Sequence, residues 1–349
     1  MTGQIIAVLG ATGAVGREIL TCLEDRDLDI KEIRFLASKN SAGTELEFQG
    51  KSYEVKEVHP DHFKDVDIAF FAAGGDTSKE YAPIAIEAGA VVIDKSSVFR
   101  MDSKIPLVVP EVNSSVLREY LAKIGPKSGG LVASPNCSTI QLVVILKPIA
   151  EQFGLKRVVV STYQSVSGAG QKGIDELSSQ VIALFSQGQV EVKNLPHQIA
   201  FNCIPHIDSF LPNGYTKEEL KVMDESRKIM GLPELRMTVT AVRVPTFACH
   251  GESVNIETER SIDPATVQAL LRSSPGVVVY DNPDKLEYPL GIEAVGTDAT
   301  YVGRIRRDDS VTNGINLWIV ADNLRKGAAL NAVQIAEIVA RERVRHPIQ

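Results

Sequence analysis

The 349-residue sequence predicts an α/β protein, with a parallel, doubly wound N-terminal sheet followed by an α+β domain. Three observations carry that prediction. Short apolar, β-branched runs alternate with helical patterns from the first residues onward. A glycine-rich loop separates the first run from the first helical pattern. Past residue 150 the runs lengthen, as in Val158-Val159-Val160-Ser161-Thr162-Tyr163, and the alternation with helices ends.

Length and composition set the frame. A chain with 44% hydrophobic and 23% charged residues can bury a large core, and its size suits two domains. The net charge of −7, with no block of Lys or Arg, argues against nucleic acid as a partner. Cys22, Cys137, Cys203 and Cys249 show no C-x-x-C pairing, so neither a metal site nor a disulfide scaffold is indicated. No basic leader follows Met1 and no apolar stretch is long enough to span a bilayer, so a soluble, cytoplasmic protein without a membrane partner is expected.

Residues 4–9 form the first strand, which runs into Gly10-Ala11-Thr12-Gly13-Ala14-Val15-Gly16 and a helical pattern over 17–23. Glycines spaced this way let the backbone turn tightly and approach a pyrophosphate at a helix N-terminus, as in a Rossmann-like sheet; a purely structural turn is the alternative. The strand over 33–36 ends in Ala37-Ser38-Lys39-Asn40-Ser41. An NAD site usually places an acid there. Hydroxyls, an amide and a lysine suit a 2′-phosphate instead, which points to NADP, although an ordinary solvated loop has the same composition.

Further strands are expected at 67–72, 90–93, 107–109 and 131–133, with a helix around 81–88. Asp94-Lys95-Ser96-Ser97-Val98-Phe99-Arg100 leaves a strand at the edge where such sheets bind ligands, so Arg100 is either an anion clamp or a surface residue. Ser134-Pro135-Asn136-Cys137-Ser138-Thr139-Ile140-Gln141 then leads into an apolar run over 142–149. Cys137 falls at a helix N-terminus, where exposed amides and the helix dipole favour a thiolate. It is a candidate nucleophile; a buried, inert cysteine is the alternative.

The second half carries strands at 158–163, 236–244, 253–258, 301–306 and 315–320, expected to form a predominantly antiparallel sheet. Helical patterns fall at 175–184 and 323–341, the latter able to return to the first domain. Gln164-Ser165-Val166-Ser167-Gly168-Ala169-Gly170 is a glycine-rich turn after the first long strand. In Arg243-Val244-Pro245-Thr246-Phe247-Ala248-Cys249-His250 an arginine ends one strand and a histidine opens the next. Arginine can hold a carboxylate bidentately and histidine can carry a proton near neutral pH, while a surface ion pair and a structural histidine are the plainer readings. Glu218 and Lys221 stand three apart on a helical stretch and share a face, as any exposed pair would.

Taken together, these motifs resemble the aspartate-semialdehyde dehydrogenase family. They are the glycine loop of residues 10–16, Ser134 to Thr139, Gln164 before Ser167-Gly168-Ala169-Gly170, and Arg243 with His250. The resemblance runs from the first strand to the last helix. It implies reversible, phosphate-dependent, NADP-linked oxidation of L-aspartate 4-semialdehyde to 4-aspartyl phosphate. In the reductive direction that reaction serves lysine, threonine, methionine and diaminopimelate biosynthesis. The resemblance further implies an NADP-binding domain over 1–134 completed by a C-terminal helix over 323–349, and a catalytic and dimerisation domain over 135–322 of a homodimer.

Position by position, the resemblance makes Cys137 the nucleophile, His250 the general acid/base and Gln164 the residue orienting the acyl intermediate. Arg243 becomes the substrate-carboxylate clamp and Glu218 the reader of the amino group, with Glu219 adjacent. Arg100, Asn136 and Lys221 become phosphate or acyl-phosphate contacts. Gly10, Thr12, Gly13, Ala14, Val15, Gly16, Ser38, Lys39, Ser41, Ser167, Gly168 and Asn323 become NADP contacts, and no metal is implied. Related enzymes can carry an arginine in the 2′-phosphate loop, where Asn40 stands here. Two rivals remain: N-acetyl-glutamyl-phosphate reductase, which shares the glycine loop and the Pro-x-Cys element but fits Asn136 and the Arg243/His250 segment less well, and a redox sensor that binds dinucleotide without turnover. The sensor leaves Gln164 and His250 unexplained.

Overall fold

A computed structural model describes residues 3–345 and divides the chain into two compact units, 1–136 with 328–349, and 137–327. The last residues of the helix expected over 323–349, from 346 on, and Met1 lie outside the described residues.

The first unit contains β1 (Gln4–Leu9), α1 (Ala14–Glu24), β2 (Ile30–Ala37), β3 (Glu45–Phe48), β4 (Lys51–Glu54), β5 (Lys56–Glu57), β6 (Ile68–Phe71), α2 (Gly75–Glu87), β7 (Val91–Asp94), α3 (Pro110–Ile124) and β8 (Gly130–Ala133). Its sheet has the order β5-β2-β1-β6-β7-β8 and every pairing is parallel. The strand order reverses beside β1, whose C-terminal end carries the glycine loop, the position at which doubly wound sheets bind ligands.

The apolar runs are continuous because both faces are covered. Ile6, Val8, Ile68, Phe70, Val91 and Ile93 point into one core with α1 and α3, whereas Ala7, Leu9, Ala69, Phe71 and Val92 point into another with α2. Each fully buried Ile, Leu or Phe contributes about 1.5–3 kcal/mol relative to exposure. β3 and β4 pair as an antiparallel hairpin outside this sheet. The strand expected at 107–109 is reduced to one bridge, Leu107 to Ala133, because Pro110 opens α3 with Val109 as its N-cap.

The second unit holds α4 (Cys137–Phe153), β9 (Leu155–Gln164), α5 (Gln171–Phe185), α6 (Lys217–Met230), β10 (Arg236–Arg243), β11 (His250–Thr258), α7 (Pro264–Arg272), β12 (Val277–Val279), α8 (Gly291–Ala294), β13 (Thr300–Asp308) and β14 (Gly314–Ala321). The sheet order is β10-β9-β11-β14-β13-β12. The three central pairings are antiparallel, as expected of a predominantly antiparallel sheet, while β10 with β9 and β12 with β13 at its two edges are parallel, so the sheet is mixed. Helix-bearing connections bring β10 and β13 back alongside β9 and β12, a geometry that favours parallel pairing.

α4 is apolar nearly all round, and Leu142, Val143, Val144, Ile145 and Leu146 are all buried. A helix of that kind belongs inside a domain, and α4 packs on the sheet and against α6. Along β9, Val158, Val160, Thr162 and Gln164 are buried while Tyr163 is exposed, as period-two alternation requires.

A π-turn at Arg325–Ala329 precedes α9 (Leu330–Arg345), which packs on α1 and α3 in the first unit. No helix among the described residues is long and apolar enough to cross a membrane.

Candidate active site

In the second unit, strand register assembles the site. Gln164, the last residue of β9, pairs with Arg243 at the end of β10 on one side and with His250 at the start of β11 on the other. Residues in lateral register project from the same face of a sheet, so amide, guanidinium and imidazole stand side by side. All three are buried. Sequence spacing alone leaves these residues far apart, and the parallel β9–β10 pairing is what puts Arg243 beside Gln164.

The helix that begins at Cys137 docks on that row. Cys137 is the first residue of α4 and half-buried, at the end where the dipole favours an anion. Its neighbour Ser138 accepts from Gln164 Nε2 at 2.5 Å, and Gln141 Nε2 donates to the His250 carbonyl at 3.4 Å. Gly327 lies against the start of α4, where a Cβ would stand 2.9 Å from Cys137 Cβ. Substitution there would push on the thiol.

His250 is wholly buried, and its Nδ1 accepts from the Ser165 N–H at 3.1 Å, with Ser165 Oγ at 3.3 Å. A nitrogen that accepts a backbone N–H carries a lone pair, so the neutral ring is protonated at Nε2. Among the described residues Nε2 has no hydrogen-bond partner. Burial first, then the Arg243 charge, hold the His250 pKa down to about 3. Ser165 and Ser167 both donate to Asn323 Oδ1, at 3.1 and 3.2 Å, so the histidine's support extends to a further buried amide.

Arg243 Nη1 donates to the Ser165 carbonyl at 2.7 Å. Burial lowers its pKa, opposed by the nearby charges of Cys137 and Glu218. It is neither at the surface nor tied up by a carboxylate in contact, so the ion-pair alternative fails. Gly168 leaves room for both groups, since a Cβ would lie 2.8 Å from Arg243 Nη1 and 3.3 Å from His250 Nε2.

Glu218 and Glu219 separate cleanly. Glu219 completes a capping box, accepting from Thr216 N at 2.7 Å and from Ala241 N at 3.0 Å. Glu218 instead accepts from Gln164 Nε2 at 3.2 Å and from Lys221 Nζ at 3.3 Å. This pair is not an exposed helix-face pair, because Glu218 is buried. Lys221 also donates to Asp208 at 2.7 Å; burial opposes its charge, but Glu218 and Asp208 outweigh that and raise its pKa.

In the first unit, the glycine loop behaves as a cradle. Gly10 has φ +87° and a Cβ there would meet the Ala72 carbonyl oxygen at 2.7 Å. A Cβ on Gly16 would strike the Gly10 carbonyl oxygen at 2.2 Å. Those two glycines are required by the chain itself. Gly13, N-cap of α1, is not, since its Cβ would meet only the Gly10 oxygen at 3.4 Å, and no side chain caps the helix. Ala14 and Val15 supply the next amides and Thr12 flanks them, so the loop suits a pyrophosphate.

After β2, Ser38 to Ala42 form a turn closed by Ser41 N to the Ser38 carbonyl at 2.9 Å, with Ser38 and Lys39 exposed. Arg100 is buried and donates to the Lys95 carbonyl at 2.7 Å, so it is not a surface residue. The segment leading to Asn136 is held by Lys95, through Ser134 Oγ and the Pro135 carbonyl at 3.1 and 3.2 Å, and by Asn331 on Ser134 Oγ at 2.9 Å.

Comparison with known proteins matches the same two blocks. Residues 5–120 match the semialdehyde dehydrogenase NAD binding domain and residues 146–326 the semialdehyde dehydrogenase dimerisation domain. The chain is 50% identical over 342 residues to an aspartate-semialdehyde dehydrogenase of Aquifex aeolicus, covering 97% of this chain and 99% of that one. The chain belongs to the aspartate-semialdehyde dehydrogenase family. An aspartate-semialdehyde dehydrogenase of Bacillus subtilis is 48% identical, with 96% and 97% of the two chains covered. The crystal structure of aspartate semialdehyde dehydrogenase II of Vibrio cholerae complexed with ASA superposes with a TM-score of 0.92 at 46% identity, covering 98% of this chain and 99% of that one. As a member of the aspartate-semialdehyde dehydrogenase family, the chain is an NAD(P)-dependent oxidoreductase with a mixed-sheet second domain.

Sequence reasoning passed over Ser138, Ser165 and Gly327. Ser165 lies inside the glycine-rich turn, and only the position of Nδ1 reveals what its N–H does.

Proposed function

We propose that this chain catalyses the reversible, phosphate-dependent conversion of L-aspartate 4-semialdehyde to 4-aspartyl phosphate with NADP, through a thioester on Cys137. The observation that carries this reading is the row of Arg243, Gln164 and His250 in strand register, with the Cys137 helix hydrogen-bonded onto it.

In the reductive direction the Cys137 thiolate attacks the acyl carbon of aspartyl phosphate. The carbon–oxygen bond to phosphate breaks and phosphate leaves with the electron pair. Arg243 holds the α-carboxylate, and Glu218 takes the amino group. Gln164, with Nε2 already on Ser138 and Glu218, fixes the acyl group. Amides at the start of α4 stabilise the oxyanion that forms at the acyl oxygen. NADPH, when bound, supplies the hydride that reduces the thioester. The tetrahedral adduct on Cys137 then releases the aldehyde and returns the thiolate. His250 donates its Nε2–H as a hydrogen bond to the oxygen of that adduct in both directions, stabilising the charge that develops there. The substrate carboxylate on Arg243 offsets the charge that depresses the histidine, so the pKa rises on binding. Arg100, Asn136 and Lys221 are assigned to phosphate.

NADP is preferred over NAD because Ser38-Lys39-Asn40-Ser41 offers a cation and hydroxyls and no carboxylate. Gly10 to Gly16 are assigned to the pyrophosphate, and Ser167, Gly168 and Asn323 to the nicotinamide end. A homodimer belongs to the same reading. Tyr163, Phe247 and Ile292 are 41%, 50% and 85% exposed within the residues that match the dimerisation domain, and a second copy would cover them. A cytoplasmic location fits too, because a catalytic thiol needs reducing surroundings.

The test is turnover of L-aspartate 4-semialdehyde and of N-acetylglutamate 5-semialdehyde with NADP, with and without phosphate. Phosphate-dependent reduction of NADP by the aspartate compound alone is expected. Turnover of only the acetylated aldehyde would reject the substrate, and binding of NADP without turnover of either would favour the sensor.

A further inference from the structure

The loop between α5 and α6 holds an acid that has no part in the chemistry above. Asp208 has φ +67°, a left-handed backbone conformation that aspartate and asparagine tolerate better than most side chains. The chain is anchored on both sides of it. Upstream, Ile204 and Arg243 exchange backbone hydrogen bonds at 2.9 and 2.8 Å. Downstream, the N–H of Lys217, the first residue of α6, donates to the Ser209 carbonyl at 2.9 Å. The Asp208 carboxylate is therefore fixed in position. Its Oδ1 accepts from the Ser209 N–H at 2.7 Å and its Oδ2 from Lys221 Nζ at 2.7 Å. Burial opposes the Asp208 charge, but the bonds from Lys221 and Ser209 outweigh it and lower the pKa.

Lys221 thus lies between two acids and is shared unequally. Its ammonium stands 2.7 Å from Asp208 and 3.3 Å from Glu218. Two carboxylates against one ammonium leave a negative charge in excess, at the place assigned to the amino group of the substrate. With Asp208 uncharged, Lys221 would fall to Glu218 alone, and the chain's own ammonium would neutralise that carboxylate before a ligand arrives. The side chains of Lys221 and Glu218 are 26% and 10% exposed, so such a pairing is less screened than one in water.

We propose that Asp208 is a positioning residue that draws the Lys221 ammonium away from Glu218, so that Glu218 keeps its charge for the amino group of the substrate. Asp208 thereby sets the preference for an amino-bearing semialdehyde by acting through Lys221. The proposal rests on the role given above to Glu218.

The experiment titrates the full-length Cys137→Ala protein, which forms no thioester at that position, with two ligands in a calorimeter. One is L-aspartate 4-semialdehyde; the other is succinate semialdehyde, which has hydrogen in place of the amino group. Kd for each is compared among this parent, Asp208→Asn, Lys221→Met and the two substitutions together. Asparagine keeps an oxygen for the Ser209 N–H and tolerates the left-handed backbone, so only the charge is lost. Loss of one charge-assisted hydrogen bond costs roughly tenfold or more, so Asp208→Asn should weaken the amino compound by about that factor and leave succinate semialdehyde unchanged. Beside Lys221→Met the same substitution should change neither Kd, because the residue through which Asp208 acts is gone. An unchanged Kd for the amino compound, equal weakening of both compounds, or the same weakening without Lys221 would each overturn the proposal. Failure of the role assigned to Glu218 is seen separately, since the parent would then bind the two compounds equally, and the proposal falls with it.

Discussion

The backbone N–H of Ser165 donates to Nδ1 of His250 at 3.1 Å, and that bond decides which nitrogen of the ring faces the site. With Nδ1 committed as an acceptor, Nε2 carries the proton, and it is the nitrogen without a partner among the described residues. The histidine is thus held as a neutral donor toward the site, with its one lone pair engaged by Ser165.

The same burial makes an acid-stability prediction with a definite sign. The folded pKa of about 3 lies below the ordinary 6.5, so between those values the unfolded chain binds a proton that the folded chain refuses. Stability therefore falls as pH drops through that window, and is unaffected by this group above it. His250→Asn should lose less stability than wild type on acidification, measured by urea unfolding at several pH values, and should lower kcat by roughly 10²–10⁴-fold. Parallel acid losses in the two proteins would count against the buried, neutral histidine.

Arg243→Lys keeps a positive charge but loses the fork that suits a carboxylate. A charge-assisted hydrogen bond is worth about 1.5–3 kcal/mol, so KM for the semialdehyde should rise roughly 10- to 150-fold. Steady-state kinetics on the folded variant decide it, and an unchanged KM would remove Arg243 from the carboxylate.

The adjacent glutamates should separate in opposite ways. Glu219→Ala removes a cap and leaves the buried Ala241 N–H without its acceptor, a loss of about 2 kcal/mol or more, seen as a lower melting temperature with KM intact. Glu218→Gln should chiefly raise KM for the semialdehyde. If the effects were exchanged, the amino-group assignment would move to Glu219.

Lys39→Ala combined with Ser41→Ala should raise KM for NADP more than KM for NAD, because only NADP has the 2′-phosphate those groups are assigned to. Equal effects on both cofactors would withdraw the preference for NADP.

Much of the first unit was legible because strands covered on both faces read as unbroken apolar runs, as in Ile6 to Leu9 and Ile68 to Phe71. Leu107 to Val109 has the same composition, yet Pro110 captures it as the approach to a helix. In the second unit the strands were visible but their order was not, because parallel pairing of β9 with β10 depends on the path of α5 and α6 between them. The candidate residues with distinctive chemistry, Cys137, Gln164, Arg243 and His250, could be named from motifs. The groups that hold them, Ser138, Ser165 and Gly327, could not, since a serine hydroxyl, a backbone N–H or a missing Cβ carries no sequence signal until its neighbour is in place.

The most direct test of the covalent mechanism is intact-protein mass spectrometry of the enzyme mixed with 4-aspartyl phosphate in the absence of NADPH. Wild type should gain the mass of one aspartyl acyl group, localised to Cys137 and lost on addition of NADPH, while Cys137→Ala gains nothing. An unmodified wild type that still turns over, or the same adduct on Cys137→Ala, would contradict a thioester at this residue.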